Sequence, residues 1–174
     1  MPYDSSNCRE CPYLDQNHLP LQLKTPRSES PVELEWNNSK TLIVGEAPGI
    51  EEWRMGAPFQ PTKKVGGTAG ARLARSWQRA GKKRKDFDLL NTVQCYPGQD
   101  GNRDARPTKA AVCACSGRLA AVLAKNNYKR VICFGRAAEK VVSQIQIAHA
   151  LNFSVVPCRH PSGGASNEQL DALW

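Results

Sequence analysis

The sequence predicts an α/β protein in which a parallel sheet is covered on both faces by helices. Three observations carry this. Four short apolar segments, 41–44, 88–93, 130–134 and 154–157, recur along the chain, and stretches of helical character separate them. Most of these segments are near-continuous apolar runs, as expected of strands buried on both sides. The first, Thr41-Leu42-Ile43-Val44, runs into Gly45-Glu46-Ala47-Pro48-Gly49, a Gly/Pro-rich loop at a strand's carboxyl end. In open α/β sheets that edge is where ligands sit.

Taken in order, residues 1–39 read as an irregular arm containing Cys8-Arg9-Glu10-Cys11, several prolines and serines, and Asn37-Asn38. Strand 41–44 follows, then a helix over 69–80, strand 88–93, a helix over 109–125, strand 130–134, a helix over 136–150, strand 154–157 and a short helix over 167–173. This alternation implies three layers, α/β/α, around a four-stranded parallel sheet. Its strand ends bring Glu46, Asn91, Gly135 and His160 towards one edge. At 174 residues the chain reads as one domain, 1–174, and no internal repeat is visible.

A formal net charge of +8 favours a polyanionic partner. No apolar run reaches membrane-spanning length and no signal pattern opens the chain, so a soluble, cytoplasmic protein is expected. Seven cysteines, an odd number, argue against a complete disulfide framework. Cys8 and Cys11 form a Cys-x-x-Cys pair, Cys95 follows the second strand, and Cys113 and Cys115 lie in the 109–125 helix. Four thiolates drawn from such segments suit a [4Fe–4S] cluster or zinc, and would pin the N-terminal arm. Scattered free thiols are the plain alternative. Cys133 and Cys158 read as small core residues.

The order Gly45-Glu46-Ala47-Pro48-Gly49, Glu52, Gly56, Pro58-Phe59, then Asn91 and Cys95, Gly101-Asn102-Arg103-Asp104, and His160-Pro161-Ser162 resembles family 4 of the uracil-DNA glycosylase superfamily, the iron–sulfur enzymes. The resemblance runs from Cys8 to Ser162. It implies a [4Fe–4S] cluster on Cys8, Cys11, Cys95 and Cys115, the last preferred to Cys113 by its distance from Pro107-Thr108. It further implies that Phe59 stacks on an extruded base, with Ala47 beside it, and that Asn91 reads the base's polar edge. His160 would hydrogen-bond the departing base, Glu46 would bind or polarise water near the sugar, and Glu52 would brace the loop. The activity implied is that of a monofunctional DNA glycosylase, acting as a monomer on single- or double-stranded DNA. It would flip out and excise a pyrimidine and leave an abasic site. No motif positions a lysine for Schiff-base chemistry.

The sequence departs from the family in three places. Residues 60–66 insert beside the expected base pocket, where they could lid it, widen it, or contact DNA through Lys63 and Lys64. The 95–115 loop is longer than usual, carries Arg103 and Arg106, and has no histidine, which disfavours covalent trapping of uracil. Gly163-Gly164-Ala165 after His160-Pro161-Ser162 stands in place of a bulky wedge, although the glycines would still let the backbone approach a phosphate, making Ser162 and Gly163 expected DNA contacts. An enlarged pocket would suit a bulky modified cytosine, hence an alternative phage-defence glycosylase specific for glucosylated hydroxymethylcytosine. A second alternative is a non-catalytic iron–sulfur DNA-binding module. Taken singly, Asn91 could cap a turn, Phe59 could be core, and the basic run Lys82-Lys83-Arg84-Lys85 could be solvated or phosphate-facing.

Overall fold

Four parallel strands, β1 (Thr41–Gly45), β2 (Asp88–Asn91), β5 (Arg130–Phe134) and β6 (Ser154–Cys158), form a sheet in the order β2-β1-β5-β6. The structure is a computed structural model describing residues 7–24, 31–62 and 67–174. Helices α1 (Ile50–Met55), α2 (Ala69–Arg79), α3 (Lys109–Lys125), α4 (Arg136–Ala148) and α5 (Asn167–Asp171) connect or follow the strands, and a two-stranded hairpin, β3 (Gln99–Asp100) and β4 (Arg103–Asp104), stands apart. This is the expected three-layer α/β/α architecture.

Alternation along β1 divides the core in two. Leu42 and Val44 pack with Leu119, Leu123, Val142 and Ile145 under α3 and α4, whereas Ile43 joins Phe59, Leu73, Trp77 and Leu170 under α2 and α5. The α2–α5 face is also tied by Arg79 to Asp171 at 2.8 Å and by Trp174 Nε1 donating to Ser76 Oγ at 2.7 Å. Pro157 lies in β6, an edge strand, where the missing N–H costs no ladder bond on the outer side.

Element boundaries differ at the ends. β2 stops at Asn91 because Thr92 and Val93 turn to follow the β1 loop, donating their N–H groups to Gly45 O at 2.9 Å and Glu46 O at 3.0 Å. Helix α4 ends at Ala148 rather than 150, where Ala150 takes φ 49°. The sequence reading gave no sign of α1, which is too short for periodicity to register, or of the two-residue strands.

The N-terminal segments are less irregular than expected. A 3₁₀ turn at Asn7–Glu10 packs against α3, the Tyr13 hydroxyl accepts from Thr108 N–H at 2.9 Å, and Glu35 pairs antiparallel with Leu89 at the edge of β2. Buried Asp88 accepts from Asn37 and Ser39 N–H and from the Tyr128 hydroxyl, fixing the approach to β1. Among the described residues no helix is long and apolar enough to cross a membrane.

Candidate active site

Gly45 ends β1 and pairs in register with Asn91, the last residue of β2. A Cβ at Gly45 would drive into Asn91 Oδ1 and lie 2.8 Å from Phe59 Cζ. The carboxamide at 91 and the ring at 59 therefore meet over the glycine's Cα, and only glycine leaves them room. Both side chains are buried, each 2% exposed. Asn91 Nδ2 has no hydrogen-bond partner. A buried, unsatisfied donor of this kind costs about 1–3 kcal/mol, which a ligand's acceptor would recover. Beyond it, Phe59 meets Phe134 edge-on, centroids 6.0 Å apart.

Phe59 takes φ 50°, left-handed backbone that a bulky residue adopts only when its surroundings impose it. Glu52 supplies part of that constraint. Its carboxylate accepts from Gly49 N–H at 2.6 Å and from Phe59 N–H, closing 49–59 into one unit. Burial pushes the Glu52 carboxyl above its usual range, the two N–H groups oppose that shift, and Asp104 adds to it. Asp104 reaches this point because Tyr96 donates to its Oδ1 at 2.9 Å across the β3–β4 hairpin.

His160 lies in the loop after β6 and is half-buried. Its Nδ1 accepts from Ser162 N–H at 3.3 Å and stands 2.8 Å from Ser162 Oγ, an arrangement that leaves the proton on Nε2. Burial pushes the imidazole's pKa below its ordinary value, favouring the neutral ring. Helix α2 ties this loop to the Phe59 loop. Arg72 donates to Pro161 O, and to Ala165 O at 2.7 Å, while Thr68 caps the helix and donates to Gln60 O at 3.3 Å. Gly70, in the first turn of the helix, packs directly against the Phe59 and Gln60 carbonyls.

The other expected residues stand elsewhere. Glu46 is half-buried, its carbonyl accepts from Thr92 Oγ1 at 2.5 Å, and with Thr92, Lys109 and Lys140 it lines a groove of about 660 Å³ between α3 and α4. Ala47 packs against the small cluster that contains Cys11, Val93 and Cys115. Arg103, Ser162 and Gly163 are exposed, and Lys63 and Lys64 lie outside the described residues. Arg84, read in sequence only as one of four consecutive cations, donates to Phe59 O at 2.7 Å; nothing in a run of cations distinguishes that member.

Among the cysteines, Cys11 and Cys115 are buried in one small cluster with Tyr13, Val93 and Ala111, and Cys95 packs against it. Burial pushes the Cys95 thiol up to about 12 and Cys115 to about 11, and the charges of neighbouring cysteines, Cys8 included, add to both shifts. Cys113, on the same helix, is exposed and faces the α3–α4 groove. Cys8, Cys11, Cys95 and Cys115 are thus electrostatic neighbours, although among the described residues no three Cys, His, Asp or Glu side chains are disposed to hold a metal ion. The donor set fits a thiolate-ligated group in its chemistry: four sulfurs share one region.

Relatives similar over part of the chain include three Type-4 uracil-DNA glycosylases. The protein from Pyrobaculum aerophilum is 33% identical over 104 residues, 60% of this chain and 48% of the relative. That from Archaeoglobus fulgidus is 32% identical over 104 residues, 60% and 47% respectively. That from Thermotoga maritima is 34% identical over 76 residues, 44% and 35% respectively. The match spans about half the length of the first two relatives. The family model described as the uracil DNA glycosylase superfamily matches residues 33–174, which takes in every strand of the sheet, the Gly45–Phe59 loop, Asn91 and His160. The chain belongs to the uracil DNA glycosylase superfamily.

Proposed function

We propose that the protein is a DNA glycosylase that draws one pyrimidine, uracil in the first instance, out of the strand and hydrolyses its N-glycosidic bond. The observation that carries this is the buried Asn91 carboxamide, with a free donor, set against the Phe59 ring at the carboxyl edge of the sheet. A carboxamide can donate to a base oxygen and accept from a ring N–H at once. The ring replaces the stacking lost on extrusion.

Cleavage leaves negative charge on the base and positive charge on the sugar. Donors held in place before the reaction stabilise that charge without reorganising. Asn91 Nδ2 and the neutral Nε2–H of His160 fill this role, and the Ser162 contact with Nδ1 keeps the imidazole proton on Nε2. Glu46 directly follows Gly45, and its carboxylate, on the α3–α4 side of that strand end, is the anionic group we assign to the sugar, while Ala47 leaves the loop without a strong general base. Arg103, Ser162, Gly163, Lys63 and Lys64 serve the phosphates, where binding is salt-dependent.

Cys8, Cys11, Cys95 and Cys115 would hold a [4Fe–4S] cluster. When bound it would staple the 7–24 segment to α3, a structural rather than a chemical contribution. Within that unit Glu52 braces the Phe59 loop, and residues 1–174 act as one domain.

The test is release of free base from oligonucleotides bearing uracil, hypoxanthine or glucosylated hydroxymethylcytosine, each single- and double-stranded. Uracil release, abolished by Asn91→Ala with DNA binding retained, is the expected result. Release of the glucosylated base alone would favour an enlarged pocket and a phage-defence role. Tight DNA binding with no release from any substrate would favour a non-catalytic module.

A further inference from the structure

We propose that Arg84, anchored by Glu35, is a positioning residue that sets the Phe59 ring against Asn91, and that it is not a phosphate contact. The proposal rests on Phe59 being the surface on which the base stacks.

The bonds form a continuous chain. Glu35 and Leu89 exchange backbone hydrogen bonds at 3.0 and 3.1 Å, fixing Glu35 to β2 two residues before Asn91. The Glu35 carboxylate accepts from Arg84 Nε at 2.8 Å and from Arg84 Nη2 at 2.6 Å. The far side of the same guanidinium donates from Nη1 to Phe59 O at 2.7 Å and from Nη2 to Pro58 O. Glu52 holds the Phe59 N–H from the other side. The left-handed residue is therefore gripped at both its amide and its carbonyl. One strand, β2, positions the carboxamide directly and the ring through Glu35 and Arg84.

The chemistry requires arginine. Only a planar fork serves a carboxylate on one edge and two adjacent carbonyls on the other, whereas a lysine ammonium is a point donor. The Arg84 and Glu35 side chains are about three-quarters buried, at 25% and 26% exposure. Such a buried fork, with its donors already committed, has little left for a phosphate.

The experiment compares Arg84→Gln, Arg84→Lys and Glu35→Gln with the wild type in the full chain. It measures single-turnover release of uracil, DNA affinity as a function of salt, and ¹⁹F spectra of protein carrying 4-fluorophenylalanine. The chain has four phenylalanines, and Phe59→Leu assigns the resonance that matters. Displacing a reacting surface by about 1 Å costs on the order of 100-fold in rate, so release by Arg84→Gln should fall by about that factor. Arg84→Lys should recover part of it, DNA affinity and its salt slope should stay within about two-fold, and the Phe59 resonance should shift or broaden in Arg84→Gln and Glu35→Gln. A salt slope reduced by about one with an unchanged rate would instead identify a phosphate contact and overturn the proposal. So would an unmoved Phe59 resonance in both variants. The fluorine arm needs no substrate, so a wild type that releases no base would reject the glycosylase reading while the brace is still decided. Should Arg84→Gln fail to fold, Glu35→Gln, which leaves one carbonyl oxygen for the fork, carries the same comparison.

Discussion

At the scale of single residues, His160 shows how local contacts set chemistry. An imidazole buried in its loop binds a proton less readily than one in the unfolded chain, so the folded protein keeps the ring neutral below the usual value near 6.5. The consequence for stability has a definite sign: the unfolded chain takes up the extra proton, so the folded state loses stability as pH falls through about 6.5. For catalysis, the Nε2–H donor should stay in its neutral form over the same range. The acid limb of single-turnover base release should therefore lie below pH 6.5, and in His160→Gln that limb should vanish along with about 100-fold or more of the rate. A limb at or above 6.5 that persists in the variant would assign the titration to another group. The histidine was legible in sequence from its Pro/Gly-flanked place after a strand. Its tautomer was not, because that depends on Ser162 turning its N–H back onto Nδ1.

At the scale of elements, the end of β1 is the joint on which the site is built. Parallel pairing sets Gly45 beside Asn91, and the loop through α1 returns Phe59 over the same Cα. Gly45→Ala should force the carboxamide and ring apart. Overpacking of a tight core costs about 1–3 kcal/mol, so the variant should unfold at lower denaturant and release base far more slowly than wild type. Equilibrium unfolding and single-turnover assays on the same preparation check this; an alanine variant with wild-type stability and rate would refute the close approach. The strands and the long helices could be read from apolar runs and their spacing. Helix α1 and the β3–β4 hairpin could not, since six residues and two residues carry no periodicity, and what holds them comes from the folded chain: Glu52 on Gly49 and Phe59 N–H and buried Trp53 for α1, Tyr96 on Asp104 for the hairpin.

At the scale of the whole molecule, the N-terminal segment, the 95–115 loop and α3 converge on Cys8, Cys11, Cys95 and Cys115. With a [4Fe–4S] cluster there, anaerobically purified protein should be brown. Cys115→Ser should lose the visible absorbance and expose residues 7–24 to protease, whereas Cys113→Ser, altering an exposed side chain on the same helix, should leave both unchanged. A colourless wild type holding stoichiometric zinc would replace the cluster with a single ion. Which of the two α3 cysteines faces inward was arguable in sequence only by counting from Pro107; helix periodicity in the folded chain puts Cys115 in the core and Cys113 outside.

The sequence by itself determined the strand–helix alternation, the loop at the end of the first strand and the residue types that could act there, because burial writes those choices into apolar runs and glycine placement. Only the tertiary structure decided which of those residues meet. Asn91 and Phe59 share one glycine's surface, Glu46 and Ala47 line other neighbourhoods, and one arginine among four cations turns inward. Each outcome depends on contacts between segments tens of residues apart, set by sheet register and helix docking, which no local pattern encodes.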